Sequence, residues 1–212
     1  MFVKQRMSHP VITAFPDTSL KEALDIMQKE QIRRLPIVDR QGKMLGIVSE
    51  RVLLKAYPSN ATTLDVWEIK DKIREIKIEE FMTREVTTVS EDTPLEEAAR
   101  MMIDQDISGM PVMDGDKLVG FITVEDIFKL FLEVLGAREP GVRISALIPR
   151  SPGAVYKVTK AIFESGGDIR ALGIFQGTST DTGEIFFKVD GVEKEKLIQS
   201  ISSHVETVVD AR

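Results

Sequence analysis

Residues 92–126, DTPLEEAARMMIDQDISGMPVMDGDKLVGFITVED, decide the fold, because residues 17–52 repeat their pattern. An offset of 75 residues superposes the two segments, and a one-residue deletion then changes the offset to 74, which pairs Gly46 with Gly120. The residues of the first copy that are identical in the second at the offset of 75 are Met7, Val11, Thr13, Asp17, Thr18, Leu20, Glu22, Ala23, Met27, Ile32, Pro36 and Asp39. A repeat of this kind predicts two structural units of one type.

Each repeat has the pattern strand, helix, strand, strand, helix. Thr93 is predicted to be the N-cap of a helix, with Pro94 at the first helical position and Glu96 closing a capping box. The apolar residues Leu95, Ala98, Ala99 and Met102 follow at helical spacing. Asp114-Gly115 predicts the turn of a hairpin between the next two strands. One unit of this size buries little surface, so we expect the two repeats to pack against each other.

A connector separates the repeats. Tyr57 to Thr63 has the composition of a loop, and Val66, Ile69, Ile73 and Ile76 then recur at helical spacing among charged residues. Two interpretations of this surface helix remain open, a connector packed on the repeats or a helix that binds a partner.

The segment Ile127 to Leu135 is apolar almost all round, with only Lys129 and Glu133 polar. A helix of this composition is expected to pack against other protein surfaces on more than one side. Another domain of the same chain and a second copy of the protein are equally good candidates for those surfaces.

A third unit follows a linker at residues 137–141. Its pattern predicts the order βαββαβ, which implies a ferredoxin-like antiparallel sheet with both helices on one face. The first of these helices is predicted to bury Val155, Val158, Ile162 and Phe163.

Composition excludes several classes of protein. The chain has no cysteine and two distant histidines, so it offers no thiolate nucleophile, no cysteine-based zinc site and no local histidine metal motif. With 28 basic and 34 acidic residues the net charge is −6, which argues against nucleic-acid binding by the whole protein. No apolar run approaches the roughly 20 residues of a membrane-spanning helix, so we expect a cytoplasmic protein.

The duplicated unit closely resembles the CBS domain, whose tandem pairs are regulatory sensors of adenosine ligands. The resemblance rests on the helix starts at 17–20 and 92–95, on residues 32–39, and on the ending Gly120-Phe121-Ile122-Thr123-Val124-Glu125-Asp126. It divides the chain into repeat one at 1–56, the connector at 57–77 and repeat two at 78–136.

The third unit, 142–212, resembles the ACT domain, a dimerising module that also binds small ligands. This resemblance rests on Arg150-Ser151-Pro152-Gly153 and Gly166-Gly167-Asp168-Ile169. A CBS pair followed by such a domain looks like the bacterial acetoin-utilisation regulator-type family.

The CBS resemblance implies a cleft for AMP, ADP or ATP as a regulatory ligand. By resemblance, the Asp126 carboxylate accepts the ribose hydroxyls, Thr123 and the helix start meet phosphate, and backbone near Thr87 frames the base. The implied nucleotide-binding residues are Thr87, Thr88, Ser108, Gly109, Pro111, Thr123 and Asp126. An alternative role for Asp126 is to cap the helix that follows it.

Repeat one departs from this pattern, because Val52 stands at the position that Asp126 has in repeat two. Valine cannot accept a hydrogen bond from ribose, so the second cleft is expected to be empty, weakened or adapted to another ligand. Arg33 and Arg34 stand where the family places side chains that reach phosphate. The residues implied for this cleft are Ile12, Thr13, Arg33, Arg34, Pro36 and Ser49.

Taken together, these features predict a non-catalytic homodimeric sensor that changes conformation on ligand binding and acts on a downstream protein that the sequence does not identify. The ACT-like domain would dimerise or bind a second small ligand through Ser151, Gly153 and Asp168. Two alternatives are a structural adaptor with vestigial clefts and an enzyme of acetoin-related metabolism, although the sequence holds no nucleophile motif, metal cluster or P-loop.

Overall fold

The computed structural model describes residues 1–56 and 74–212, which form two compact units, Met1–Ile127 and Phe128–Arg212. The predicted loop at 57–63 and the positions Val66, Ile69 and Ile73 of the predicted connector helix lie outside the described residues. Within the described ranges, no helix is both long enough and apolar enough to span a membrane.

The first unit contains repeat one and repeat two up to Ile127, which lies within the last helix of that repeat. Repeat one has helix α1 (Leu20–Lys29), strands β1 (Arg34–Val38) and β2 (Met44–Ser49), and helix α2 (Glu50–Ala56). Repeat two has β3 (Val89–Ser90), α3 (Leu95–Asp104), β4 (Gly109–Asp114), β5 (Lys117–Thr123) and α4 (Val124–Val134). The predicted element order is confirmed in repeat two, whereas the first strand of repeat one is reduced to a parallel bridge between Ala14 and Ile37.

Each repeat is built around an antiparallel hairpin, β1-β2 in repeat one and β4-β5 in repeat two, where β3 adds in parallel to β4. The predicted turn is confirmed, since Asp114 pairs with Lys117 and Gly115 has a φ of 57°. Such a left-handed φ favours glycine. The apolar face of α1 (Leu20, Ala23 and Met27) is buried against residues of both strands of its hairpin.

The start of α3 differs from the prediction. The helix begins at Leu95, with Pro94 rather than Thr93 at the N-cap and no side-chain capping bond. The Thr93 hydroxyl instead accepts a hydrogen bond from the Ser90 N–H at 3.1 Å. A backbone carbonyl takes over part of the capping, because the Leu95 N–H donates to the oxygen of Met1 at 3.0 Å. The capping box predicted with Glu96 is therefore wrong.

The segments that precede the two repeats are exchanged. The short 3-10 helix Val3–Gln5 packs on repeat two, where the Val3 N–H donates to the carbonyl of Thr93 at 2.9 Å. The equivalent 3-10 helix Ile78–Glu80 packs on repeat one, where the Ile78 N–H donates to the carbonyl of Thr18 at 3.0 Å. Each repeat is thus completed by residues that precede the other one.

The second unit contains a four-stranded sheet and two helices. Its elements are β6 (Val142–Pro149), α5 (Ala154–Glu164), β7 (Asp168–Gln176), β8 (Thr182–Asp190), α6 (Lys194–Ile201) and β9 (Thr207–Ala211). The strands lie in the order β7-β8-β6-β9 and all neighbours are antiparallel, as the predicted βαββαβ order requires.

One core joins the helices of the second unit to alternate residues of β6 and β8. It contains Ile144, Ala146, Ile148, Val158, Ile162, Ile185, Phe187, Val189, Leu197 and Ile201. The prediction that Phe163 is buried is wrong, because its side chain is 76% exposed. Residue 163 follows Ile162 by about 100° around the helix axis, and so it turns away from the face that Val158 and Ile162 share.

Candidate functional site: a cleft lined by both repeats

A cleft of about 270 Å³ lies in the first unit and is lined by both repeats. Repeat one contributes Arg34 from β1, Ser49 from β2 and Val52 from α2. The remaining lining residues are Ile47, Val48, Phe81, Thr83, Glu85, Val86, Thr87, Ile107 and Gly109. Seven of the twelve lining residues are apolar and five are polar or charged, a mixture that can hold a small molecule.

The exchange of segments builds this cleft. Ile47 and Thr83 form an antiparallel bridge, so the chain from Phe81 to Thr87 runs past β2 of the other repeat. The sequence assigned Thr87 and Gly109 to one cleft, with Thr123 and Asp126, and assigned Arg34 and Ser49 to the other. In the structure Thr87 and Gly109 line the same cleft as Arg34 and Ser49. For Thr87 the reason is that its segment precedes repeat two in sequence but packs on repeat one.

Arg34 and Arg33 differ in their surroundings. Arg34 pairs with Ser49 across the β1-β2 ladder and is partly buried, and this burial lowers the pKa of its guanidinium below the ordinary arginine value. Arg33 is exposed and lies outside the cleft lining. Of the two arginines predicted to reach a ligand, the structure brings Arg34 into the cleft.

Thr123 and Asp126 form a capping box at the start of α4. The Thr123 N–H and hydroxyl both donate to Oδ2 of Asp126, at 2.9 and 2.6 Å, and the Asp126 N–H donates to the threonine hydroxyl at 3.3 Å. The capping role that the sequence left open for Asp126 is therefore present. Its role as a ribose acceptor stays a prediction, and neither residue is among those described as lining the 270 Å³ cleft.

An equivalent capping box starts α1. The Ser19 N–H and hydroxyl both donate to Oε2 of Glu22 at 2.9 Å, and the Glu22 N–H donates to the serine hydroxyl at 3.2 Å. These bonds lower the pKa of the Glu22 carboxyl, the backbone N–H of Ser19 being the largest cause. The same capping geometry is thus present at α4, a proposed ligand site, and at α1, which lies elsewhere.

The other residues predicted for the two clefts occupy the frame of the repeats. Pro36 and Pro111 are equivalent residues of β1 and β4, paired with Ile47 and Phe121. The Ser108 carbonyl accepts the N–H of Val124 at 3.2 Å, which ties the start of β4 to the start of α4. Ile12, Thr13 and Thr88 precede the helices and are not among the residues that line the described cleft.

The three residues predicted for a ligand site in the second unit do not converge within one protomer. Ser151 and Gly153 follow the end of β6, which pairs with Thr182, whereas Asp168 at the start of β7 pairs with Asp190. Thr182 and Asp190 are the two ends of β8, roughly 27 Å apart at about 3.4 Å per residue. Asp168 also forms an exposed ion pair with Arg170 at 3.2 Å.

Sequence reasoning missed Phe81, Thr83 and Glu85 as cleft residues. No motif marks them, and the repeat offset relates Thr83 only to Ser8. The signal that identifies them is the backbone pairing of Thr83 with Ile47, which is a property of the folded chain.

Comparison with known proteins identifies the family of this chain. The sequence profile of the CBS domain matches residues 3–59 and 78–133. A CBS domain-containing protein of Dictyostelium discoideum is 33% identical over 136 residues, which cover 64% of this chain and 94% of that protein. L-aspartate semialdehyde sulfurtransferase of Methanocaldococcus jannaschii is 41% identical over 130 residues, but the match spans 61% of this chain and only 23% of the enzyme.

Two solved structures have the same fold over the repeats. A CBS domain pair in complex with 5′-methylthioadenosine and S-adenosyl-L-methionine is 37% identical, with a TM-score of 0.52 over 66% of this chain and 98% of that one. A putative acetoin utilization protein from Vibrio cholerae is 32% identical, with a TM-score of 0.54 over 66% and 96% of the two chains. Since the family profile covers more than half of the sequence, the chain belongs to the CBS domain family and carries two CBS domains in tandem.

Proposed function

We propose that this protein is a regulatory sensor that binds an adenosine-containing ligand in a cleft of its CBS pair. The observation that carries the proposal is the 37% identity to a CBS pair in complex with 5′-methylthioadenosine and S-adenosyl-L-methionine, which aligns over almost its whole length. The candidate ligands are these two compounds together with AMP, ADP and ATP.

Thr123 and Asp126 are the proposed ribose site. The capping box fixes the rotamer of the Asp126 carboxylate, and a carboxylate can accept several hydrogen bonds, including those of a ribose diol. The first turn of α4 adds the positive end of the helix dipole, which favours a phosphate or carboxylate on the ligand.

The exchanged N-terminal segment is the proposed frame for the base. Ser8 pairs with Phe121 of β5 as Thr83 pairs with Ile47 of β2, so residues that follow Ser8 are directed past β5. Thr87 and Ser49 line the same cleft. The pseudo-symmetry of the repeats therefore favours an equivalent arrangement in which Ile12 and Thr13 lie close to Thr123.

The test must separate ligand binding from helix capping, and the second capping box provides the control. Calorimetric titration with AMP, ADP, ATP, 5′-methylthioadenosine and S-adenosyl-L-methionine is made on the wild type, Asp126→Asn and Glu22→Gln. Loss of the ribose acceptor is expected to weaken binding about tenfold or more, as for other charge-assisted hydrogen bonds, whereas Glu22→Gln binds like the wild type.

Equal losses in both variants would mean that Asp126 acts only through the stability of its helix. Failure of all five compounds to bind the wild type would favour the second candidate function, an adaptor with vestigial clefts. The complete capping box at Asp126 is the observation that favours this candidate.

The second unit is proposed to be an ACT-like domain. Support comes from its βαββαβ order, from the antiparallel strand order β7-β8-β6-β9 and from a single helix-covered core face. Because Ser151 and Asp168 are at opposite ends of the sheet in one protomer, a ligand site that used both would need two copies. Dimerisation is thus the primary role that we assign to this domain.

A homodimer is further supported by α4, none of whose residues is buried. Phe128, Phe131, Leu132 and Val134 are all more than 40% exposed, and such apolar clusters mark contact surfaces. Sedimentation of the wild type and of Phe128→Ser tests the role of this surface, with a shift of the variant toward the monomer as the expected result.

The proposed sensor is cytoplasmic and non-catalytic, with its output passed to another protein. The chain spans only 23% of the sulfurtransferase and 30% of the inosine-5′-monophosphate dehydrogenase of Methanocaldococcus jannaschii that it resembles. Since so little of either enzyme is matched, the activities in those names carry no weight for this chain. Involvement in acetoin utilization is supported only by the likeness to the Vibrio cholerae protein.

A further inference from the structure

The cleft of about 270 Å³ is lined by an arginine, Arg34. Among residues 1–56 and 74–212, the Arg34 guanidinium has no hydrogen bond or ion pair, although burial lowers its pKa. Removing a cation from water without giving it a partner is unfavourable even when it is only partly buried, so a site that keeps one is suited to an anion that enters from solution. The planar guanidinium matches the two oxygens of a carboxylate.

The cleft lacks the group that would hold a nucleotide sugar. Val52 occupies the position of Asp126 on the repeat offset, and Val52 lines the cleft with Phe81, Ile107 and other apolar side chains. The neutral polar side chains that line the cleft are Ser49, Thr83 and Thr87, and the Thr87 hydroxyl already donates to Oε1 of Gln105 at 2.6 Å. An apolar ligand body therefore suits this cleft better than a ribose diol.

The charge and the volume of the cleft narrow the choice of ligand further. Glu85 also lines the cleft, and its negative charge disfavours ligands that carry several negative charges, such as nucleoside di- and triphosphates. The volume of about 270 Å³ lies below the roughly 300 Å³ at which ligand sites for drug-sized molecules begin. Both features favour a small monoanion.

We propose that this cleft binds a small organic monocarboxylate with an apolar body, and that Arg34 holds the carboxylate by a bidentate contact. The branched chain of such an acid packs against Val52, Phe81 and Ile107. The site is separate from the adenosine site proposed at Thr123 and Asp126, so it can be present whether or not the protein binds a nucleotide.

The probes are 4-methylpentanoate and its neutral isostere 4-methylpentanamide, titrated into the full chain with the chemical shifts of the amide groups as the readout. We expect the acid to bind at least about tenfold more tightly than the amide, and to shift the resonances of Ser49 and Thr87. Arg34→Gln is expected to abolish this preference. Arg33→Gln is the matched control, because Arg33 is exposed and outside the cleft lining, and it is expected to bind like the wild type.

Val52→Asp provides a test in the opposite direction. A carboxylate at residue 52 adds a negative charge to the cleft and a partner for Arg34, so it is expected to weaken binding of 4-methylpentanoate about tenfold and to strengthen binding of AMP. Amide spectra and melting temperatures confirm that each variant is folded. The Arg34 variant breaks no ion pair in the described part of the chain, so it is expected to fold.

The proposal is overturned if neither compound binds, if acid and amide bind equally, or if Arg34→Gln binds the acid like the wild type. It is also overturned if AMP displaces the acid from the wild type and the same Arg34 variant loses AMP. These results do not depend on whether the adenosine site proposed at Thr123 and Asp126 exists, since Asp126→Asn does not alter the cleft lined by Arg34.

Discussion

Ile47 and Thr83 donate to each other's carbonyl oxygens at 2.9 Å, although they belong to different repeats. Ser8 and Phe121, their equivalents on the repeat offset, do the same at 2.8 and 3.1 Å. The two repeats are therefore held together by a reciprocal exchange of backbone hydrogen bonds as well as by side-chain packing. The same exchange brings residues 81–87 to the cleft that contains Arg34.

The close approach of the exchanged segment requires glycine at residue 46. A Cβ atom there would lie 2.6 Å from the carbonyl oxygen of Thr83, which is held by its hydrogen bond to Ile47. We expect Gly46→Ala to lower the free energy of unfolding by about 2 kcal/mol, because a backbone atom must move. Urea unfolding measures this loss.

Gly120 is the matched control, since a Cβ atom there meets the side chain of Met7 and not backbone. Methionine adapts its shape readily, so Gly120→Ala is expected to cost less than about 1 kcal/mol. A larger loss for Gly120→Ala than for Gly46→Ala would contradict this account of the exchange.

Val3 anchors the N-terminal segment and is fully buried. We expect Val3→Ala to lower the free energy of unfolding by about 2 kcal/mol, which combines lost burial with a small cavity. The loss should be local to repeat two, because the Leu95 N–H donates to Met1 whereas the equivalent Leu20 N–H donates to Ile76.

Amide hydrogen exchange can detect this difference. The expected result is faster exchange at Leu95 with unchanged exchange at Leu20. Equal acceleration at the two amides would show that the segment stabilises the pair as a whole rather than the repeat on which it packs.

The sequence predicted the elements of the repeats because local patterns determine them. Apolar spacing predicted the buried face of α3, where Leu95, Ala98 and Met102 are buried, and Asp114-Gly115 predicted the hairpin turn. The exchange could not be predicted, since an offset of 75 residues relates Ser8 to Thr83 whether each segment packs on its own repeat or on the other. Thr93 failed as an N-cap for a related reason, because the donor at Leu95 is satisfied by the distant carbonyl of Met1.

The candidate site was predicted in part. Arg34, Ser49, Thr87 and Gly109 do line a cleft, but the sequence divided them between two sites. Assigning a residue to a site needs the path of the backbone between repeats, and identities along the chain carry no information about that path. Phe81 and Glu85 were missed for the same reason, since they precede any motif of repeat two.

Thr123 is expected to stabilise α4 through its hydroxyl. Thr123→Val removes the donor to Asp126 and the acceptor for the Asp126 N–H, so we expect a loss of about 1 kcal/mol in the free energy of unfolding. Thr123→Ser keeps the hydroxyl and should retain most of the stability. If both substitutions destabilise the protein equally in urea, the methyl group rather than the capping bond is what matters at this position.

Glu22 makes the stability of the first unit depend on pH. Its carboxyl has a lowered pKa in the folded chain, chiefly because the Ser19 N–H donates to it, with the Ser19 hydroxyl as the next cause. A carboxyl whose folded pKa lies below its unfolded value, about 4.3, stabilises the protein above that value, and this stabilisation is lost as the pH falls through the folded pKa.

Glu22→Gln keeps an oxygen acceptor without the charge. We expect the wild type to exceed this variant in unfolding free energy at about pH 6, and the difference to disappear toward about pH 3. The comparison with the variant removes the contribution of every other titrating group, so a difference that stays constant over this range would assign the effect of Glu22 to packing and not to its charge.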